Sequence, residues 1–389
     1  MVSGCSGTAR PRRVPQFLRL GPATAERYGR SMQSAPGVLD LPLTRPRIDR
    51  RDQDRQRPDW LAEVWTAPGT GVLRLDGGRA PVRAARSDGG PDAEGSRNGT
   101  EHDVAHTSRL RLVFEAPEGP LPEDAVYLGA APLGAASEAT HEERPRHLIA
   151  VPAPGQAHDG DLASVTESSS ARPSGHADSG VMRESGDRNG VSDTEHPVLR
   201  WADLRSVGAH LPALEGELLT QATAVLNWHA NSAHCPRCGA VTEVRSSGWM
   251  RQCPACGAEH FPRTDPAVIT AVVDPQDRLL LGSATRWDAR MYSTFAGFVE
   301  AGESLEDAVV REVAEEAGAA VARVEYIGSQ AWPFPRSLML GYLAHTRDAV
   351  AHADEDEIRD VRWFTREELH QQVAEGRIGI PPRSSISRG

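Results

Sequence analysis

The sequence predicts an α/β chain of the α+β kind, a layered carboxy-terminal domain behind a cysteine-held ribbon and a small β-rich amino-terminal domain. Three observations carry this. Strand-like runs at 267–273, 278–281, 324–327, 338–343 and 361–364 surround one amphipathic helix within Gly297–Ala319. Ahead of them stand two CxxC pairs, Cys235/Cys238 and Cys253/Cys256. Ahead of those, residues 38–200 offer short alternating strands separated by polar stretches. At 389 residues the chain is long enough for two or three domains, each with its own core.

Residues 1–37 are rich in Arg, Ser, Pro and Ala without apolar periodicity and are expected to be a disordered extension. In the domain 38–200, Trp60–Trp65 has helical spacing and Thr70–Leu75 and Leu110–Phe114 read as strands. Ala125–Gly129 and His147–Val151 read as a strand pair. Two stretches near 85–107 and 154–197 hold almost no large apolar residues; they cannot bury enough surface to offset ordering entropy and are expected to be flexible insertions. A linker, 201–230, reads as helical from Trp201 to His229, with an apolar face broken near Pro212.

The module 231–262 reads as a zinc ribbon. Each CxxC is followed by glycine, Gly239 or Gly257, and the fourteen residues between the pairs can form a hairpin. Such knuckles turn backbone amides toward thiolate sulfur, and Zn²⁺ with four sulfur ligands is a closed, structural site. His229, His234 and His260 flank the cysteines, but four thiolates already complete the shell. Metal-type cysteine spacing points to a reducing compartment, the cytoplasm. A net charge of -11 argues against a broad electrostatic grip on nucleic acid, and no apolar run approaches the length of a membrane span, so no membrane partner is expected.

The domain 263–389 centres on its helix. Ser304 with Asp307 has the form of a capping box, and Gly318 ends the helix. Leu305, Ala308, Val309 and Val313 give a buried stripe, while Glu312, Glu315 and Glu316 project from another face. Like charges at this spacing repel, and a divalent cation reverses the sign. Carboxylates are the donors that Mg²⁺ or Mn²⁺ prefers, usually with the substrate's own phosphates. After the 324–327 strand, Ser329-Gln330-Ala331-Trp332-Pro333-Phe334-Pro335-Arg336-Ser337 reads as a proline-stiffened loop whose aromatic faces suit a ligand ring. Thr365 with Glu368 caps a last helix.

The order Gly297, five residues, Glu303, seven residues, Arg311-Glu312-Val313, one residue, Glu315-Glu316, one residue, Gly318 resembles the Nudix box, with Ala319 where a bulky aliphatic is usual. A zinc ribbon before such a domain, followed by a loop close to SQPWPFPxS, looks like the NADH pyrophosphatase family of Nudix hydrolases. Ala331 departs from the loop's first proline. The resemblance implies the Nudix fold, an α+β sandwich, and hydrolysis of the pyrophosphate of NADH or NAD⁺ to NMN(H) and AMP. NAD-capped RNA is a second implied substrate, a ligand-sensing regulator a third reading, and a homodimer the implied assembly. Carried over by position, it implies metal binding by Glu312, Glu316, Glu357 and the Ala296 carbonyl, with Arg311 and Glu303 holding the glutamates and Glu315 or Glu316 as base. It implies dinucleotide contacts from Phe261, from Gln330, Ala331, Trp332, Pro333, Phe334, Pro335, Arg336 and Ser337, and from Ser387.

Overall fold

A computed structural model describes Leu43 and residues 48–85, 110–131, 147–153, 199–348 and 350–388. The expected extension 1–37, the insertion 85–107 beyond Ala85 and the insertion 154–197 lie outside the described residues.

In the amino-terminal region helix α1 (Trp60–Thr66) precedes strands β1 (Thr70–Leu75), β2 (Arg79–Ala84), β3 (Leu110–Leu112), β4 (Val126–Ala130) and β5 (His147–Pro152). One sheet runs β1-β5-β4; the expected pair β4 and β5 is antiparallel. The 110–114 run is strand only to Leu112, because Glu115 then crosses to bridge Val72 in the other sheet. β6 (Arg200–Asp203) completes a second sheet, β3-β2-β6. This corrects the helical reading of Trp201: Trp201 pairs with Pro81, a partner too distant in sequence for local periodicity to reveal. Asp203 then caps the short α2 (Leu204–Val207) by accepting from the Ser206 amide. The long helix α3 (Ala213–Asn231) starts after Pro212 and buries Leu218, Leu219, Ala222 and Val225 against Leu73, Leu128 and Leu148.

The ribbon is a three-stranded sheet of β7 (Glu243–Arg245), β8 (Met250–Gln252) and β9 (Glu259–His260). Its hairpin tip sits on the amino-terminal sheet. Trp249 Nε1 donates to the Tyr127 carbonyl at 2.7 Å, the Arg55 guanidinium lies 4.5 Å from the Trp249 ring, and a β-carbon on Gly248 would stand 2.8 Å from Val126 Cα. No larger residue fits at Gly248 without displacing strand β4.

The carboxy-terminal domain holds β10 (Asp265–Val273), β11 (Leu279–Ala284), β12 (Phe295–Phe298), α4 (Leu305–Ala317), β13 (Val321–Trp332), β14 (Ser337–Thr346), β15 (Ile358–Phe364) and α5 (Arg366–Ala374). The sheet order is β13-β14-β10-β11-β15, with β12 paired to β10. α4 buries Ala308, Val309, Val313 and Ala317 against Val268, Leu280, Phe295 and Tyr342. Leu369 and Val373 of α5 pack on a separate cluster of Leu281, Tyr292, Phe364 and Ile378. Helices on separate apolar clusters of one sheet make the expected α+β sandwich.

Two expectations change here. β13 continues through Ser329–Trp332, pairing Trp332 with Ser337, so only 333–336 is loop. Both prolines lie past the strand end and remove no ladder donor. At the start of α4, Ser304 Oγ accepts from the Asp307 amide at 3.1 Å, but the Asp307 carboxylate accepts from the Ser304 hydroxyl at 2.7 Å, not its amide. The full reciprocal box occurs at Thr365 and Glu368 instead. Gly318 closes α4 in the left-handed region at φ 61°. Among the described residues no helix is long and apolar enough to cross a membrane.

Candidate active site

The site is assembled where β12 runs beside α4. The loop between them is pinned by Arg311, whose guanidinium donates to Glu303 at 2.8 and 2.9 Å, to Glu312 at 2.8 Å, to Glu315 at 3.3 Å and to the Phe298 carbonyl at 3.0 Å. Arg311 holds the Glu303 carboxyl down at about 2, with help from the Glu300 amide. The guanidinium therefore orders three carboxylates of one helix and loop.

Glu316 is the buried member, 9% exposed, and accepts from the Ala296 amide at 3.3 Å. Burial pushes its carboxyl up to about 7, with the charges of Glu312, Glu357 and Asp354 adding to the rise and the Ala296 amide opposing it. Glu312 lies against the bare backbone of Gly297. Glu357 precedes β15, in a turn where the Asp354 carboxylate accepts from the amides of Asp356, Glu357 and Ile358. Carboxylate oxygens suit a hard divalent cation better than a soft metal, although among the described residues the four cysteines are the one group of three or more metal-ligating side chains drawn together, their sulfurs within 4.8 Å of one another.

A cleft of about 240 Å³ is lined by Ala296, Glu316, Glu357, Trp332, Met339 and Ser387, with Arg286 and Trp287 on its wall and Pro381, Pro382, Ser385 and Ile386 from the chain's last segment. Of the nine residues from Ser329 to Ser337, Trp332 alone is among the described lining. Phe334 stacks edge-on to Trp332 at 5.0 Å, lies 4.1 Å from the Arg205 guanidinium and packs on the amino-terminal core. Trp332 packs on the same core and lies 5.9 Å from the same guanidinium, so what separates the two aromatics is that Trp332 also lines the cleft. The Gln330 side chain is fully buried and donates to the Ser384 carbonyl at 2.8 Å. The Pro333 carbonyl accepts from Asn227 at 3.2 Å, and Arg336 pairs with Asp265 at 2.8 Å. Ala331, Pro335 and the buried Ser337 are absent from the described lining. Phe261 is 45% exposed, also apart from it. Glu315, with its side chain 64% exposed, lies on the outer flank beside Arg311. Sequence reasoning missed Arg286, Trp287 and Met339; the one local signal was a cation beside an aromatic just after a strand end.

The four cysteine sulfurs lie within 4.8 Å of one another, with Cys235 to Cys256 at 3.7 Å and Cys238 to Cys253 at 3.4 Å. Gly239 and Gly257 turn the knuckles at φ 76° and 70°. Burial pushes the Cys253 thiol up, but the Cys256 and Ala255 amides and the Cys238 thiol outweigh it and bring it down to about 7. In the same cluster the Ala240 amide draws the Cys238 thiol down, but the Cys253 and Cys256 thiols outweigh it and push it up to about 12, so the four sulfurs share protons that a bound zinc would displace. His229 takes no part in the cluster; its ring nitrogens bond the Gly248 carbonyl at 2.8 Å and Arg251 at 3.0 Å.

Parts of the chain are similar to known proteins. Residues 263–383 match the family described as NUDIX domain, and residues 230–261 the NADH pyrophosphatase zinc ribbon domain. The chain is 46% identical over 207 residues to the "NAD-capped RNA hydrolase NudC" of Mycobacterium tuberculosis (strain ATCC 25618 / H37Rv), covering 51% of this chain and 66% of that one. It is 40% identical over 185 residues to the "NAD-capped RNA hydrolase NUDT12" of Homo sapiens, covering 44% and 40%. It thus spans just under two thirds of the first relative and less of the second. A solved NUDIX hydrolase from Nitrosomonas europaea is 25% identical, covers 35% of this chain and 78% of its own, and superposes with a TM-score of 0.28.

Proposed function

We propose that this chain, which carries a Nudix domain behind an NADH pyrophosphatase zinc ribbon, hydrolyses the pyrophosphate bond of NADH or NAD⁺ to NMN(H) and AMP. The observation that carries the reading is one cleft that holds the buried Glu316, Glu357 and the Trp332 indole. Glu312, Glu316, Glu357 and the Ala296 carbonyl would hold Mg²⁺ or Mn²⁺, which when bound neutralises phosphate charge and makes a water more acidic. A glutamate of the helix, Glu315 or Glu316, takes the proton released as water attacks phosphorus. Arg311 pairs with both Glu312 and Glu303 and so fixes Glu312 against the loop. Trp332 offers a flat face to one ring of the dinucleotide. Zinc in the four-thiol cluster is structural in this reading, and a cytoplasmic location and a homodimer accompany it on the strength of the cysteine usage and the family resemblance.

Removal of NAD from RNA 5′ ends is a second reading, since the same bond is cut and only the tail differs. The relatives named above bear that activity in their names. The test offers purified protein, with Mg²⁺ or Mn²⁺, NADH, NAD⁺, ADP-ribose and NAD-capped RNA and identifies the products. NMN or NMNH with AMP, or NMN with a 5′-monophosphate RNA, is expected; turnover of ADP-ribose alone overturns the reading.

A further inference from the structure

We propose that Arg286 is a phosphate-binding residue of the cleft, gripping the phosphate of the bound nucleotide half; the inference rests on the dinucleotide reading above. The cleft presents two carboxylates, Glu316 and Glu357, to a substrate that is itself an anion. Arg286 is the one basic side chain among the described lining residues. Its guanidinium lies 5.6 Å from the Trp287 ring, and among the described residues no ion pair or hydrogen bond engages it. Other arginines of the domain are committed, Arg278 to Asp274, Arg311 to Glu303 and Arg336 to Asp265.

The backbone that carries Arg286 is built rather than loose. Arg359 donates from one nitrogen to the carbonyls of Ala284 at 2.9 Å and Trp287 at 2.7 Å and also to that of Thr285. The Thr285 amide donates to the Glu357 carbonyl at 2.8 Å and its hydroxyl to the Asp356 carbonyl at 3.0 Å. The arginine and the carboxylate Glu357 are thus mounted on one hydrogen-bonded frame. A planar guanidinium presents two parallel N–H groups to phosphate oxygens, and flanking aromatic contact limits the rotamers it must give up on binding. Arg359 acts through this frame and is a positioning residue.

The experiment compares AMP with adenosine, which has the same ring and no phosphate, as ligands of the full chain in Mg²⁺ by titration calorimetry. Arg286→Ala is expected to weaken AMP about tenfold or more, the effect of one charge-assisted contact, and to leave adenosine within about twofold. Arg286→Lys should recover part of the loss. Because the side chain is exposed, the melting temperature should be unchanged. In steady state, KM for NADH should rise more than kcat falls. Equal weakening of both ligands, no weakening of either, or a wild type that does not prefer AMP overturns the proposal. If wild type fails to cleave NADH yet loses AMP selectively on Arg286→Ala, the phosphate site stands and the substrate reading falls.

Discussion

A β-carbon on Gly297 would stand 1.7 Å from Glu312 Oε1 and 1.9 Å from its Cδ, so strand β12 and helix α4 meet here through bare backbone and one carboxylate. The obstructing atoms are the far end of a flexible side chain, and Gly297 is not among the residues at positive φ. Gly297→Ala should therefore fold, by swinging Glu312 out of place. We expect at least a hundredfold loss in kcat/KM, about 2.7 kcal/mol of transition-state stabilisation, with the circular dichroism melt moved by only a few degrees. Wild-type turnover in this variant would remove Glu312 from the metal set.

Glu316→Gln keeps the shape of the buried side chain and removes its charge. Turnover should fall at least about a thousandfold while the fold persists. The same variant reports on pH. In the metal-free protein the folded-state pKa of Glu316 is raised from 4.5 to about 7, so between those values the folded chain holds a proton that the unfolded chain has released. Stability from this group is complete below about 4.5 and is lost as pH rises through about 7. Denaturant melts in EDTA should show that fall in wild type and lack it in Glu316→Gln. Added Mg²⁺ should restore wild type at pH 8; equal pH slopes in the two proteins would contradict the assignment.

Trp332 and Phe334 touch each other but should fail differently. Trp332→Ala removes a cleft wall, and loss of ring stacking of roughly 1–3 kcal/mol should raise KM for NADH about tenfold to a hundredfold. A small diphosphate without a second ring should be spared. Phe334→Ala removes a half-buried ring from beneath Arg205 and should cost about 2 kcal/mol of stability with a smaller change in KM. Identical kinetic profiles for the two variants would make both aromatics scaffolding.

Cys253→Ser withdraws a fully buried sulfur from the four-thiol cluster. Structural zinc commonly contributes on the order of ten kcal/mol to a small module, so zinc content should fall and the chain should aggregate on heating. Metal analysis with light scattering checks it; a zinc-free, soluble and fully active variant would deny the cluster its structural role.

The helix α4 was legible because its signals are local: Ser304 before it, Gly318 after it, and the apolar stripe between. The ribbon was legible for the same reason, since CxxC-Gly fixes its own turn. What escaped depends on partners far along the chain. Trp201 reads as helical until Pro81 pairs with it, and the prolines at 333 and 335 disguise a strand that Ser337–Met339 completes. The cleft was legible in its carboxylates and, through the resemblance, in Ala296, Trp332 and Ser387. Beyond a cation beside an aromatic at Arg286, nothing local says that Arg286 or Pro381–Ile386 borders Glu316; the sheet and the frame around Arg359 bring them there.

The seat of Trp249 on Tyr127 bears on where this protein can be cut. A fragment beginning at residue 230 would retain the four ribbon cysteines and the glutamates of the site, yet its hairpin tip would present an indole, a bare Gly248 and the unpaired Trp249 Nε1 to water. Phe334, on the Nudix side, would lose Arg205 and its apolar bed in the same stroke. The segments recognisable as separate modules along the chain thus share one compact body, and a scissors line drawn between them exposes contacts on both sides of the cut.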